Sequence, residues 1–374
     1  MSGFLVRGWC PDAWRPMAAG DGLLVRVKPR LGRLTRDQLL GLCDAALTWG
    51  NGLIDLTSRG NVQLRGVAET GWPALLERLI ALDLVDPDPA REKCRTLLVA
   101  PDWRLGDDTH RIATDLLGML GDLPALPGKA GFVVDAGPVP RLSGVSGDFR
   151  IERAAGGRLI LRAEGRPTGV AVPRGTEAGA LVRLARWFVE SGGSAAGRMG
   201  QHRQPLPHWA QGDVFAAAPG ARMVPGRHPL GMVLGVAFGQ IDSARLVELA
   251  EQGLSAIRVT PWRSLLGEGL THGHPGMIVD PADPLLRVDA CPGAPLCPQA
   301  SIATRDLARQ LAPHISGQLH VSGCAKGCAR ADAAHVVVTG REGALDLAFD
   351  ARAGEPAAHP GLTPAALRAL FGTD

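Results

Sequence analysis

Two hydrophobic periodicities alternate along the chain, and their order repeats. The run Gly22-Leu-Leu-Val-Arg-Val-Lys has a period of two and predicts a strand. After a turn over 29–32, Thr35 stands where a helix cap belongs. Leu39, Leu42, Cys43, Ala46 and Leu47 then recur at helical spacing over 36–49, and Gly50-Asn-Gly is the stop. Two more short runs, 53–57 and 61–65, complete the order β-α-β-β, half a ferredoxin-like domain. In the second of these, Arg59, Asn61, Gln63 and Arg65 alternate with Val62 and Leu64, so the polar set shares one face.

The order returns from Gly231: a strand over 231–239, a helix over 243–252 capped by Asp242 and stopped by Gly253, and a strand over 256–260. Thr260-Pro-Trp-Arg263 then occupies the place of Thr57-Ser-Arg59. Leu285-Leu-Arg-Val-Asp-Ala-Cys-Pro parallels Cys94-Arg-Thr-Leu-Leu-Val-Ala-Pro. One internal repeat thus spans the chain. Between the copies the pattern predicts a helix over 72–84, the breaker Asp86-Pro-Asp-Pro, strands over 149–153 and 159–163, and a helix over 178–191. After them come a hairpin over 335–350 and a helix over 364–370. The expected class is α+β in four parts: a half domain over 1–70, an α/β domain over 71–225, a second half domain over 226–284 and a metal-binding domain over 285–374. Patterning is least informative over 140–225.

The repeat is asymmetric in cysteine. Cys291-Pro-Gly-Ala-Pro-Leu-Cys297 and Cys324-Ala-Lys-Gly-Cys328 fall in the second copy, whereas the first has Pro101-Asp-Trp where that loop would be. Four thiolates suit tetrahedral zinc or an iron–sulfur cluster. Structural zinc favours a two-residue knuckle, and neither pair has one. The longer, uneven spacings inside Gly/Pro loops favour a 4Fe–4S cluster; zinc and plain core cysteines are the alternatives. Cys43 fits a core position. Cys10, Cys43 and Cys94 are expected to stand outside the cluster.

Net charge is only +3, too little to point to nucleic acid, and no run approaches the ~20 apolar residues of a membrane span. The N-terminus lacks a secretory pattern, so a cytoplasmic protein with reduced cysteines is expected. Lysine occurs only at Lys28, Lys93, Lys129 and Lys326, and arginine supplies the remaining basic residues. No G-x-G-x-x-G or Walker sequence marks a nucleotide site.

The cysteine pattern, with His320-Val-Ser-Gly leading into its second pair, resembles the cluster signature of the sulfite and nitrite reductase superfamily. Within it, Cys-Pro-Gly-Ala-Pro-Leu-Cys, Ser322-Gly-Cys-Ala-Lys-Gly-Cys-Ala and Arg7-Gly-Trp-Cys-Pro are similar to the precorrin-3B synthase family. The likeness covers nearly the whole chain and implies α/β domains of the reductase type beside the two half domains. Asp55-Leu-Thr-Ser-Arg-Gly-Asn-Val-Gln-Leu-Arg-Gly resembles the superfamily's tetrapyrrole- or anion-contacting stretch, which would make Arg59 and Arg65 substrate ligands. Arg95 matches an anion-binding arginine, although Thr96 replaces the usual Asn. Lys129 matches one of two anion-binding lysines, and Gly131 stands in place of the other. Losing that fixed charge argues against a small anion as substrate.

The resemblance implies an O₂-dependent mono-oxygenase that converts precorrin-3A by hydroxylation at ring carbon 20 and γ-lactone closure. It implies a mononuclear non-haem iron beside the 4Fe–4S cluster, and the substrate in the region where relatives hold sirohaem. NADH-derived electrons would need a separate reductase. A sirohaem-dependent sulfite or nitrite reductase, with Cys328 bridging to the haem iron, is the main alternative; a non-catalytic electron-transfer or zinc module is the third. His272-Gly-His274 is the only H-x-H available for the mononuclear iron.

Overall fold

A computed structural model of the chain describes residues 10–372; Arg7, Gly8 and Trp9 of the N-terminal motif lie outside them. The first predicted helix forms over Arg36–Trp49. Thr35 Oγ1 accepts from Gln38 N at 3.2 Å and Gln38 Oε1 accepts from Thr35 N at 3.1 Å, a reciprocal capping box. Leu39, Leu42, Cys43 and Ala46 are buried as the periodicity requires. Leu47 is not: it is 56% exposed and lies over Gly52, beyond the end of the buried stripe.

The two copies of β-α-β-β are built into each other. Arg33–Thr35 of the first copy pairs antiparallel with Ala256–Val259 of the second, and Gln240–Asp242 of the second pairs with Leu53–Leu56 of the first. Each of the two five-stranded sheets that these copies build therefore contains one strand from the other copy. The contacts at the exchange are reciprocal. Arg36 N donates to Ser255 O at 3.1 Å, and Ser243 N donates to Gly52 O at 2.9 Å. One apolar core spans both copies, from Leu34, Leu39 and Ile54 to Leu234, Leu249 and Ile257.

The exchanged strands are three residues long, too short for alternation to register, and the pattern does not predict them. The strand expected over 231–239 stops at Gly235. Phe238 and Gly239 adopt left-handed φ of 57° and 71°, repeating the turn at Leu31 and Gly32, where φ is 53° and 67°. The apolar run Val-Ala-Phe reads as strand, but the chain must reverse there to reach the partner sheet.

The other two sheets repeat one topology. Leu97–Val99 lies parallel to Phe132–Asp135, which lies parallel to Phe149–Arg153; Leu159–Ala163 then returns antiparallel. Val288–Ala290, Leu319–Ser322, Ala334–Arg341 and Ala344–Ala351 follow the same order. The duplication read from the ferredoxin-like segments thus extends to these sheets. Phe132–Asp135 is buried along its whole length, so it shows no alternation to predict it by.

Replacing Thr35 by Ala removes the cap at the point where the exchanged strand enters its helix. We expect a loss of about 1 kcal/mol in denaturant unfolding, largely restored by Thr35→Ser.

Candidate functional site

Cys291 follows Val288–Ala290, and Cys324 lies two residues beyond Leu319–Ser322, at the carboxyl ends of neighbouring parallel strands. Cys297 and Cys328 lie in the loops beyond. All four line one cavity of about 430 Å³. Glycine lets these loops approach: Gly293 has φ of 70°, and a Cβ there would lie 2.6 Å from Thr304 Oγ1. Gly323 N points at Cys291 Sγ, 3.2 Å away, as a donor to a thiolate should. Burial raises the Cys328 pKa; Lys326 opposes this, while Cys324, Cys291 and Cys297 add to it from across the cavity.

Among the described residues, no three His, Cys, Asp or Glu side chains are gathered closely enough to hold a single metal ion. Four thiols around one volume supply the donor set that a polynuclear cluster takes. The lack of a tight single-ion set leaves no fitting ligand set for a mononuclear iron among these residues. His274 Nε2 is 3.1 Å from Glu248, and His272 Nδ1 is 2.7 Å from Thr271. The remaining cysteines are elsewhere: Cys43 is in the core with its thiol pushed up to about 12 by burial, Cys94 ends the helix Pro89–Cys94, and Cys10 lines a different cavity.

Two further cavities share walls with the cysteine cavity. One, of about 480 Å³, shares Arg65, Cys291 and Cys328 with it. The other, of about 630 Å³, shares Lys129 with the cysteine cavity and Arg26 with the middle one. Arg59 and Lys129 line this largest cavity together. Arg59 projects from the turn 57–61, and among the described residues its guanidinium has no hydrogen bond or ion pair. Burial, then the neighbouring Arg198 cation, lowers its pKa. An uncompensated, half-buried cation facing a cavity is suited to an anionic ligand.

Arg65 and Arg95 are placed differently. The Arg65 guanidinium meets Asp21 at 2.9 Å and Asp55 at 2.9 Å, and its side chain is only 4% exposed. Burial disfavours its charge, but the two carboxylates outweigh that and hold the pKa up. Arg95 is buried beside Glu92 at 3.1 Å, and its Nη2 donates to Lys28 O at 2.7 Å and Leu84 O at 2.5 Å. It braces the chain at Lys28, one residue past the strand Gly22–Val27, and lines none of the three cavities.

The largest cavity also carries basic residues that the motifs did not single out: Arg15, Arg26, Lys28, Lys93 and Arg198. One signal for them was present. All four lysines of this arginine-rich chain line the cavities, Lys28, Lys93 and Lys129 in the largest and Lys326 beside the cysteines. Arg198 comes from the stretch with the weakest pattern and is held by Asp148 at 2.9 Å. The two departures at Thr96 and Gly131 are coupled, because a Cβ on Gly131 would lie 2.8 Å from Thr96 Cγ2. A lysine cannot enter there without displacing Thr96.

The duplicated turn is not a second copy of this site. Thr57 N bonds Asn61 O and Thr260 N bonds Ser264 O, so the two turns align with Trp262 at the place of Arg59 and Arg263 at that of Gly60. Trp262 packs against a cluster containing Leu98, Ala100 and Leu142. Arg263 takes a left-handed φ of 54° and reaches Val288 O and Asp289 on the strand leading to Cys291.

Residues 15–82 match the Nitrite/Sulfite reductase ferredoxin-like half domain. A precorrin-3B synthase of Sinorhizobium sp. is 31% identical over 395 residues, covering 94% of this chain and 85% of that protein. A ferredoxin–nitrite reductase of Synechococcus elongatus is 32% identical over 94 residues, 25% of this chain and 18% of that protein. The structure of Mycobacterium tuberculosis NirA aligns over 90% of this chain and 76% of its own with a TM-score of 0.58 and 18% identity, a likeness of fold.

Arg65→Ala should expose the structural role of that residue. Leaving Asp21 and Asp55 buried without their cation should cost about 3–5 kcal/mol in denaturant unfolding.

Proposed function

The chain belongs to the precorrin-3B synthase family of the nitrite and sulfite reductase superfamily, and on that premise we propose that it is an oxidoreductase that converts precorrin-3A to precorrin-3B. The carrying observation is that four cysteines line one cavity whose walls continue into an arginine- and lysine-lined cleft. In this reading Cys291, Cys297, Cys324 and Cys328 hold a 4Fe–4S cluster. When bound, that cluster supplies electrons one at a time.

The protein's own residues bind and orient the substrate. Arg59 and Lys129 take peripheral carboxylates of the flat tetrapyrrole in the largest cavity. Lys93 extends the positive field around them, while Lys28 shares Glu92 with Arg95 and Arg198 is tied to Asp148. Arg65 and Arg95 support this wall through their ion pairs and carbonyl contacts. The coupled packing of Gly131 on Thr96 removes a charge from the end where a small anion would need it, which favours the larger substrate over sulfite or nitrite.

The reaction is a mono-oxygenation. One atom of O₂ enters the ring as the hydroxyl at carbon 20 and the other leaves as water with two electrons and two protons from the donor; a ring acetate closes the γ-lactone by adding across the adjacent ring double bond, its carboxyl oxygen to one carbon and its proton to the other, with no further atom lost. The electrons derive from NADH through a separate reductase, since the sequence carries no dinucleotide motif. No step is assigned to a mononuclear iron. None of the described helices is long and apolar enough to cross a membrane.

Cys324→Ser should lose or convert the 4Fe–4S absorbance, with iron and acid-labile sulfide falling together; a full complement of both would refute the ligand set. Arg59→Ala should keep the cluster spectrum and the melting temperature while binding precorrin-3A at least about tenfold more weakly, as expected for one charge-assisted bond of about 1.5–3 kcal/mol. Product formation by the pure chain with NADH alone would contradict the need for a reductase.

A further inference from the structure

The middle cavity, between the first sheet and the cysteines, has an unusual charge pattern. On one face of that sheet, Arg26, Gln63, Asp55 and Gln240 stand in a single cross-strand row. Asp55 at its centre is satisfied: it accepts from Arg65 Nη1 at 2.9 Å and from Gln240 Nε2 at 2.7 Å. The two ends are not neutralised. Arg26 donates through Nε at 3.0 Å and Nη2 at 2.7 Å to the amide oxygen of Gln63. Arg305, from the cysteine-bearing part of the chain, donates to the amide oxygen of Gln240, and its buried Nε has no partner.

Among the described residues, neither Arg26 nor Arg305 has a carboxylate within ion-pair distance: the side chain next to Arg26 is the thiol of Cys10, with Asp12 farther off, and Asp55 and Cys291 act on Arg305 from farther away. By contrast, Arg65 and Arg263 in the same cavity are paired with aspartates. An amide orients a guanidinium without cancelling its charge, whereas a carboxylate would do both. Burial lowers the pKa of both end residues, against the opposing pull of Cys10 on Arg26 and of Asp55 on Arg305. Both line the cavity that Cys291 and Cys328 also line. Three interstrand steps, roughly 14 Å, separate Arg26 from Gln240, the residue that Arg305 contacts.

We propose that Arg26 and Arg305 are the two ends of a carboxylate clamp, each taking one peripheral carboxylate of a single flat polycarboxylate ligand that lies across the row toward Cys328. The site rests on the tetrapyrrole reading given above and adds to it two carboxylate ligands in the middle cavity, one of which, Arg26, also lines the cavity of Arg59 and Lys129. Gln63 and Gln240 are the positioning residues that keep the clamp charged and aimed.

The test uses the full-length, cluster-loaded protein and uroporphyrin III as a flat tetrapyrrole octacarboxylate, followed by fluorescence quenching at several salt concentrations. Wild type should bind with an affinity that falls as salt rises. Arg305→Gln removes one end of the clamp. Gln63→Glu leaves Arg26 in place but neutralises it with an added ion pair, so a purely structural role would predict unchanged or tighter folding and no loss of binding. Each variant should bind about tenfold more weakly, with its cluster absorbance retained and the melting temperature of Gln63→Glu no lower than wild type. The octamethyl ester of the same ring should not distinguish the variants from wild type. Wild-type affinity for uroporphyrin III in both variants would overturn the clamp and leave the tetrapyrrole reading standing. Failure of the wild type to bind would overturn both.

Discussion

The reciprocal exchange of two short strands is the constraint on which the rest depends. Neither copy of β-α-β-β completes its sheet alone, because each draws its outer strand from the other. Glu268 shows how tightly the exchange is locked. It accepts from Arg33 of the first copy at 2.8 Å and from Arg258 of the second at 2.6 Å. Arg258 in turn reaches Pro101 O at 3.0 Å and stacks over Trp103, fastening the central unit to the first α/β sheet. A shared core of this kind fixes the separation of the two copies. The cleft between Arg59 on one side and the cysteines on the other can therefore be precise while being lined largely by loops.

Duplication followed by divergence explains why there is one site where the symmetry would allow two. At the place of Cys291 the first copy has Ala100, and where the cysteine loop would follow it has Asp102 and Trp103, whose indole donates to Leu31 O at 3.2 Å. At the place of Arg59 the second copy has Trp262, packed against apolar neighbours. In the reading proposed above, each copy keeps one half of the site and lacks the other. The freed positions are used for packing, where an aromatic ring buries far more apolar area than the residue it stands for.

The cleft is also organised by which arginines are neutralised. Most of the buried ones, such as Arg65, Arg150 and Arg258, are tied to carboxylates and hold the structure together. A few, Arg59 among them, face cavities without a counter-charge. Composition cannot separate these classes, since both are the same residue. Lysine is different: a strongly hydrated ammonium gains less from bidentate pairing, and the four that this chain retains all lie at the cleft.

Sequence alone determined what local periodicity and close spacing can encode. The helix Arg36–Trp49 with its cap, the hairpin around 335–350, the helix Pro364–Leu370 and the pairing of the cysteines were legible because each depends on residues a few positions apart. The repeat was legible because two stretches of one chain preserve the same order. What only tertiary structure decided were relations between distant segments. The three-residue exchanged strands gain their identity from a partner some two hundred residues away. Arg65 shares a face with Gln63, as alternation requires, but Asp21 and Asp55 reach it first. Arg95, which motif matching set beside Arg59, is turned into the packing by the short helix Pro89–Cys94 that it caps. Arg26 and Arg305, almost three hundred positions apart, become ends of one row because sheet register places their amide partners on either side of Asp55. Periodicity shows which face a residue is on; its charge environment depends on what the fold brings opposite it.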